Sequence, residues 1–172
     1  MTGSASMLSD DAPWMQAAKN LVAQCLSDNV PFLGVCFGHQ ILGAVCGAKI
    51  GPNPMGRANG SVDVTIREPS PLFAGLHKKF VAQISHRDII LENHSEFRVI
   101  ASAGHDPRHA IQVGQNSFGV QFHPEWDMDI SKAYIYARQE TLGVNSAKNM
   151  LATLKHSPEA SLVVHNFIRG LQ

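Results

Sequence analysis

Apolar residues recur at helical spacing from Trp14 through Ala18, Leu21, Val22 and Cys25, which predicts an amphipathic helix. Asp11-Ala12-Pro13 opens it, with Asp11 as N-cap and Pro13 in the first turn, and Asp28-Asn29 ends it. Residues 30–35 form a short continuous apolar run closed by a glycine-containing turn, the pattern of a strand buried on both faces. A second helix is expected through Ile41, Leu42 and Val45, stopping at Gly47. The stretch IGPNPMGRANG at 50–60 is dense in turn formers. Beyond it lie short β-type runs at 62–66, 80–84, 97–101, 110–113 and 118–122. Residues 129–142 regain helical character. A last helix, capped by Ser157-Pro158, presents Ala160, Val163, Val164, Phe167 and Ile168 as its apolar face. This succession predicts an α/β chain, and with no internal repeat or low-complexity linker, residues 1–172 read as a single domain.

Bulk properties narrow the picture. A chain of 172 residues is long enough to bury a core without disulfides or metals. Apolar and charged fractions of 44% and 16% suit a globular rather than a disordered protein. Fourteen basic residues balance fourteen acidic ones, which leaves no electrostatic footprint for nucleic acid or an anionic membrane and favours a small-molecule or protein partner. No apolar stretch approaches the roughly 18 residues of a membrane span. Residues 1–11 carry Ser, Gly and acidic residues where a secretory signal would place basic ones and then an apolar run, so a cytoplasmic location is expected. Three cysteines without close pairing suggest neither a disulfide framework nor a zinc knuckle, and no cofactor or metal is expected.

Candidate chemistry centres on PFLGVCFGHQ, which places Cys36 between Gly34 and Gly38 where the buried strand meets the second helix. This is a nucleophile elbow, its glycines removing side chains that would clash in a sharp, strained turn. The turn exposes the sulfur, aims it at a helix N-terminus that favours thiolate, and offers the Phe37 amide as an oxyanion donor. Burial as an inert thiol is the ordinary fate of free cysteine and suits Cys25 and Cys46; the elbow sets Cys36 apart. A thiolate attacking an amide needs a proton partner, for which histidine is the usual candidate. Among nine histidines, His123 stands out at the end of a strand in His-Pro-Glu. Pro124 holds the residue before it extended, so Glu125 points to the same side as His123 and can orient its ring.

GVCFGHQ followed much later by GVQFHPE resembles the paired signature of class I glutamine amidotransferases. TGSASMLSDDAPW and ISHRD resemble the loop before the first retained helix and the SH-x-D stretch of the branch akin to the amidotransferase part of GMP synthase. The similarity covers nearly the whole chain and is weakest over 128–158. It implies a flavodoxin-like three-layer sandwich with a mixed, mainly parallel sheet and a small additional antiparallel sheet. It also implies Cys36 as nucleophile, His123 as general base and acid, and Glu125 as its orienter. Gln40 matches a residue that helps hold substrate, and Gly3 the glycine whose amide completes the oxyanion hole with Phe37. Ser85 and His86 would lie near the amino-acid end of the substrate, a zwitterion that demands buried polar partners. The implied activity is hydrolysis of the glutamine side-chain amide to glutamate and ammonia through a Cys thioester, with a synthase partner as ammonia acceptor; a homo-oligomer is compatible with it.

Family members begin with a strand, a helix and further strand structure before the loop that here holds Gly3, so N-terminal strands are expected to be missing from the sheet. Hydrolysis of γ-glutamyl peptides or conjugates, and a non-catalytic amidotransferase-like module, are the rival readings. Retention of all three catalytic residue types argues against the module. Among other residues, His39 is expected to pack or hydrogen-bond on the nucleophile helix. His105 and His109 flank the Asp106-Pro107 turn, where exposed polar residues are routine. A metal site from His86, Asp88, His105 and His109 competes with that reading, but nothing in the pattern fixes these on one face. Trp14 is expected in the core.

Overall fold

The computed structural model describes residues 1–10 and 12–171, so the N-cap expected at Asp11 lies outside the described residues. The first helix, α1 (Pro13–Ser27), starts at Pro13, whose ring presets the helical φ and whose missing N–H has no partner to lose there. Its buried stripe is Met15 and Val22, flanked by the partly buried Ala18, Cys25 and Leu26. That face is turned by about one residue from the expected register. Trp14 and Leu21 are 46% and 59% exposed, and Trp14 leans on Phe37 at 5.4 Å from the rim of the helix interface instead of entering the core. The helix ends as Asn29 takes a left-handed φ of 54°, which asparagine tolerates better than most residues, and the Val30 amide reaches the Cys25 carbonyl at 2.8 Å.

The chain continues through β1 (Phe32–Val35), α2 (Phe37–Val45), β2 (Ile50–Pro52), β3 (Ala58–Ile66), β4 (Lys79–His86), β5 (Asp88–Ile90), β6 (Arg98–Ala103), β7 (Asp106–Val113) and β8 (Ser117–Val120). Helices α3 (Met128–Ala137), α4 (Gln139–Leu142), α5 (Val144–Ala152) and α6 (Leu162–Arg169) follow. A six-stranded mixed sheet has the order β1-β8-β7-β6-β3-β4, and β2 and β5 form the small antiparallel sheet. The expected predominance of parallel strands does not hold among the described residues: only β1 and β8 pair parallel, and the remaining neighbours run antiparallel. Chain length between strands explains the balance. β6–β7 and β7–β8 are joined by tight turns at Gly104-His105 and at 114–116, which can only make hairpins, whereas the long excursion between β1 and β8 permits a parallel return.

Helices α1 and α2 cover one face of the sheet through Met15, Val22, Phe37, Ile41, Leu42 and Ile111. The opposite face packs Val64, Phe80, Ile100, Val120 and Phe122 against Ala160, in the turn before α6, and Val163 in its first turn. The result is a three-layer α/β sandwich, and β1 feeds both cores, with Phe32 on one side and Val35 on the other. α6 begins at Leu162, later than Ser157-Pro158 suggests, because residues 158–161 form turns in which the Ser161 hydroxyl donates to the Pro158 carbonyl at 3.1 Å. No helix among the described residues is long and apolar enough to cross a membrane.

Candidate active site

β1 and β8 run in register, Val35 beside Val120, and the Cys36 amide donates to the Val120 carbonyl at 2.8 Å before the chain turns into α2. Cys36 adopts φ 52°, ψ −102°, a left-handed conformation costing on the order of 1–3 kcal/mol for a residue with a side chain. The flanking glycines are demanded by space. A Cβ on Gly34 would fall onto the Gly38 carbonyl, and one on Gly38 would come within 2.5 Å of the Met1 carbonyl oxygen. Cys36 is thereby held at the N-terminus of α2, with the Phe37 amide in the first turn and the partial positive end of the helix beneath the sulfur.

His123 follows β8. Its amide donates to the Gln83 carbonyl of β4 at 2.8 Å, and its Nδ1 lies 2.8 Å from Glu125 Oε1. The pairing expected from His-Pro-Glu therefore forms, with a buried imidazole and a carboxylate 40% exposed at its side chain. The largest influence on the ring is burial, which disfavours its charge, yet Cys36 and Glu125 outweigh burial and raise the His123 pKa to about 9. Trp126 stacks on the imidazole, centroids 4.1 Å apart and planes within 16°. Gly3 bounds the same space, since a Cβ there would meet His123 Cε1 at 3.0 Å and Cys36 Cβ at 3.5 Å. This strand of chain is tied down by Met1, whose amino group donates to the Leu33 carbonyl at 2.8 Å and whose carbonyl accepts from the Val35 amide at 2.9 Å.

Cys36 opens into a pocket of about 230 Å³ that also touches Gly3, Ser85, His123, Trp126 and Arg138. A smaller cavity of about 60 Å³ adjoins it through Cys36, Ser85, Tyr134 and Arg138 and extends to Phe37, Gln40, His86 and Asp88. The residues expected to hold substrate thus line two adjoining cavities that share Cys36 and Ser85. The Gln40 amide group is anchored on the Asp88 carbonyl at 2.8 Å, and the Ser85 hydroxyl donates to Asn59 Oδ1 at 2.8 Å. A larger cavity of about 930 Å³, lined by Leu26, Cys46, Glu96 and Gln115 among others, shares no residue with this site.

The histidines behind the elbow depart from expectation. His109 and Asp106 are fully buried, because β7 starts at Asp106 and carries both into the interior, where His109 Nδ1 lies 3.1 Å from Asp106 Oδ2. Burial opposes ionisation of Asp106, but His109 and His39 overcome it and hold its pKa near 2. His86 stacks on the half-buried His105 with Nε2 atoms 3.1 Å apart, and burial drives its pKa down to about 2. His39 is wholly buried and its ring nitrogens have no hydrogen-bond partner among the described residues; burial lowers its pKa to about 4. Asp88 turns instead to Arg87 Nε at 2.9 Å, and among the described residues no three His, Cys, Asp or Glu side chains are arranged to share a metal ion. Cys46 is buried, which pushes its thiol up to about 11, and Cys25 is half-buried on α1.

Three residues at the pocket were missed from sequence. Trp126 directly follows His-Pro-Glu, and Tyr134 lies on α3 four residues before Arg138, the residue that caps the helix C-terminus, a spacing that brings both to one side. α3 is set in place by Asp127, whose side chain accepts from the Ile130 amide at 2.8 Å as an N-cap.

Residues 9–140 match the family model described as glutamine amidotransferase class-I. The GMP synthase [glutamine-hydrolyzing] of Clostridium kluyveri is 35% identical over 97 residues, covering 56% of this chain and 19% of that protein. The enzyme of the same name from Aeropyrum pernix is 33% identical over 112 residues, 65% of this chain and 22% of its own length. The chain therefore spans about a fifth of the length of these curated relatives. Among solved structures, a glutamine amidotransferase from Thermotoga maritima superposes with a TM-score of 0.82 at 19% identity, covering 99% of this chain and 75% of that one. A glutamine amido transferase from Methylobacillus flagellatus gives 0.80 at 20% identity, over 99% and 75% of the respective chains. At these identities the structural likeness speaks to the fold.

Proposed function

Given that the chain belongs to the class-I glutamine amidotransferase family, we propose that it releases ammonia from the side-chain amide of glutamine, with Cys36 as nucleophile, His123 as proton carrier and Glu125 as its orienter. The observation that carries this reading is the joint placement of Cys36 and His123 in one pocket, the sulfur on a left-handed elbow and the imidazole fixed through Nδ1 by Glu125.

The Cys36 thiolate attacks the amide carbon, and the developing oxyanion is received by the amides of Phe37 and Gly3. Each such donor is worth about 10² to 10³ in rate. His123 then gives its proton to the departing nitrogen, the C–N bond breaks, and ammonia leaves a γ-glutamyl thioester on Cys36. Water, deprotonated by His123, attacks the thioester; glutamate departs and the thiolate is restored. A His123 that holds its proton above neutrality suits the first half of this cycle, since it keeps the sulfur's counter-ion in place and the proton available for ammonia. Ammonia would pass to a synthase partner, the arrangement suggested by the names of the GMP synthase relatives.

Ammonia release from glutamine tests the reading. Cys36→Ala should abolish it, whereas Cys25→Ser and Cys46→Ser should leave turnover within about twofold of the parent, as befits thiols outside the pocket. Comparable turnover in the Cys36 variant would overturn the assignment.

A further inference from the structure

Helix α3 and its C-cap residue Arg138 border the pocket that holds Cys36. From His123 outward the structure builds a chain of aromatic contacts, stacked at its first step and tilted by 46° at its second. The imidazole lies on Trp126 at 4.1 Å, Trp126 on Tyr134 at 4.9 Å, and the Arg138 guanidinium carbon stands 4.7 Å over the Tyr134 ring. Tyr134 and Arg138 line both the cavity of about 230 Å³ and the adjoining one of about 60 Å³.

We propose that Arg138, steadied on the face of Tyr134, is the specificity-determining residue that binds the carboxylate at the amino-acid end of the substrate, an assignment that rests on the glutaminase reading. A carboxylate drawn into a half-buried pocket needs charge-assisted donors in place of its lost water, and a guanidinium offers them as a flat two-pronged fork. Besides the His123 imidazole, which serves the sulfur, three arginines reach the two cavities. Arg87 already gives its Nε to Asp88 at 2.9 Å, and Arg57 is exposed and borders only the smaller space. Arg138 is half-buried, borders both spaces and makes no ion pair with any described residue. The acids nearby are engaged elsewhere, Glu125 with His123 and Asp88 with Arg87. Contact with Tyr134 fixes the plane of the guanidinium by cation–π attraction of about 0.5–2 kcal/mol and leaves its N–H edges open. Glutamine bound with its amide at Cys36 carries its carboxylate at the far end of its carbon chain, and Arg138 borders the same cavity as Cys36.

The test reads binding without requiring turnover. Cys36 is alkylated by iodoacetamide, the modified peptide is quantified by mass spectrometry, and the rate is followed at rising L-glutamate or rising glutamate α-amide, which keeps the γ-carboxylate and differs only in having a neutral amide in place of the α-carboxylate. Arg138→Gln should raise the half-protecting concentration of L-glutamate about tenfold or more, the loss of one charge-assisted bidentate contact. Protection by the α-amide should be the same in parent and variant. Arg138→Lys, which keeps the charge but not the fork, should shift L-glutamate by an intermediate factor and covers the case of a Gln variant that fails to fold. Equal L-glutamate protection of parent and variants, or equal weakening for both ligands, overturns the assignment, as does a parent that L-glutamate does not protect. Ammonia release by the parent is scored separately: protection without ammonia removes the glutaminase reading and leaves the carboxylate subsite standing.

Discussion

The imidazole of His123 lies flat on the indole of Trp126, ring centroids 4.1 Å apart and planes 16° from parallel. An indole face stabilises a cation by about 0.5–2 kcal/mol, and 1.36 kcal/mol corresponds to one pKa unit. Trp126→Ala should therefore move the alkaline limb of the ammonia-release pH profile downward by about 0.4 to 1.5 units and lower kcat. Trp126→Phe should retain most of both. An unshifted limb in the Ala variant would reduce Trp126 to a packing residue.

His123 also makes stability depend on pH. Its folded pKa, about 9, exceeds the ordinary 6.5, so the native state binds the proton more tightly than the unfolded chain. The associated stability is complete below about pH 6.5 and is lost as pH rises through about 9. Denaturant unfolding at pH 6 and at pH 9.5 should show a decline that is clearly smaller in Cys36→Ala, where the sulfur that favours the protonated ring is gone. Equal declines would mean that other groups govern the alkaline limb.

In the proposed mechanism Glu125 acts through its 2.8 Å contact with Nδ1 of His123. Residues that work as a unit lose little more together than singly. The double variant His123→Ala/Glu125→Ala should match His123→Ala within about threefold in kcat/KM, and Glu125→Gln, still able to hydrogen-bond the ring, should lose less than His123→Ala. Additive losses would separate the two roles.

Glycine at 34 is a steric requirement, since an added Cβ would overlap the Gly38 carbonyl backbone, while a Cβ on Gly104 meets nothing within 4 Å. Gly34→Ala should cost about 3 kcal/mol or more, or prevent folding altogether, because rigid backbone cannot yield. Gly104→Ala should be neutral or gain up to about 1 kcal/mol through a less flexible unfolded chain. Thermal unfolding of the pair distinguishes local crowding at the elbow from a general intolerance of alanine.

Much of the site was legible in sequence because its parts are local. Gly34-Val35-Cys36-Phe37-Gly38 encodes its own geometry through glycine sterics and recurs as read, whereas His123 and Glu125 meet across a turn at Pro124-Glu125, closed by the Trp126 amide on the His123 carbonyl at 3.2 Å, and not by extended-chain alternation. What escaped depends on distant pairing. Nothing near Asp106 and His109 announces that β7 will lie inside the sheet and bury them, because the run that signals a strand begins only at Ala110. Trp14 read as core because it shares the period of the α1 stripe, yet Met15 beside it wins the interior against α2. Tyr134 and Arg138 look like ordinary half-exposed helix residues until α3 is folded back over Cys36, which no local pattern specifies.

The most direct measurement is peptide mapping of the protein mixed with glutamine, quenched in acid within the first turnover and analysed by mass spectrometry. A glutamyl adduct on the peptide containing Cys36, labile to hydroxylamine as a thioester is and absent from Cys36→Ala, is the expected result. Released ammonia without any adduct at Cys36, or an adduct on Cys25 or Cys46, would contradict the assignment of Cys36 as the nucleophile.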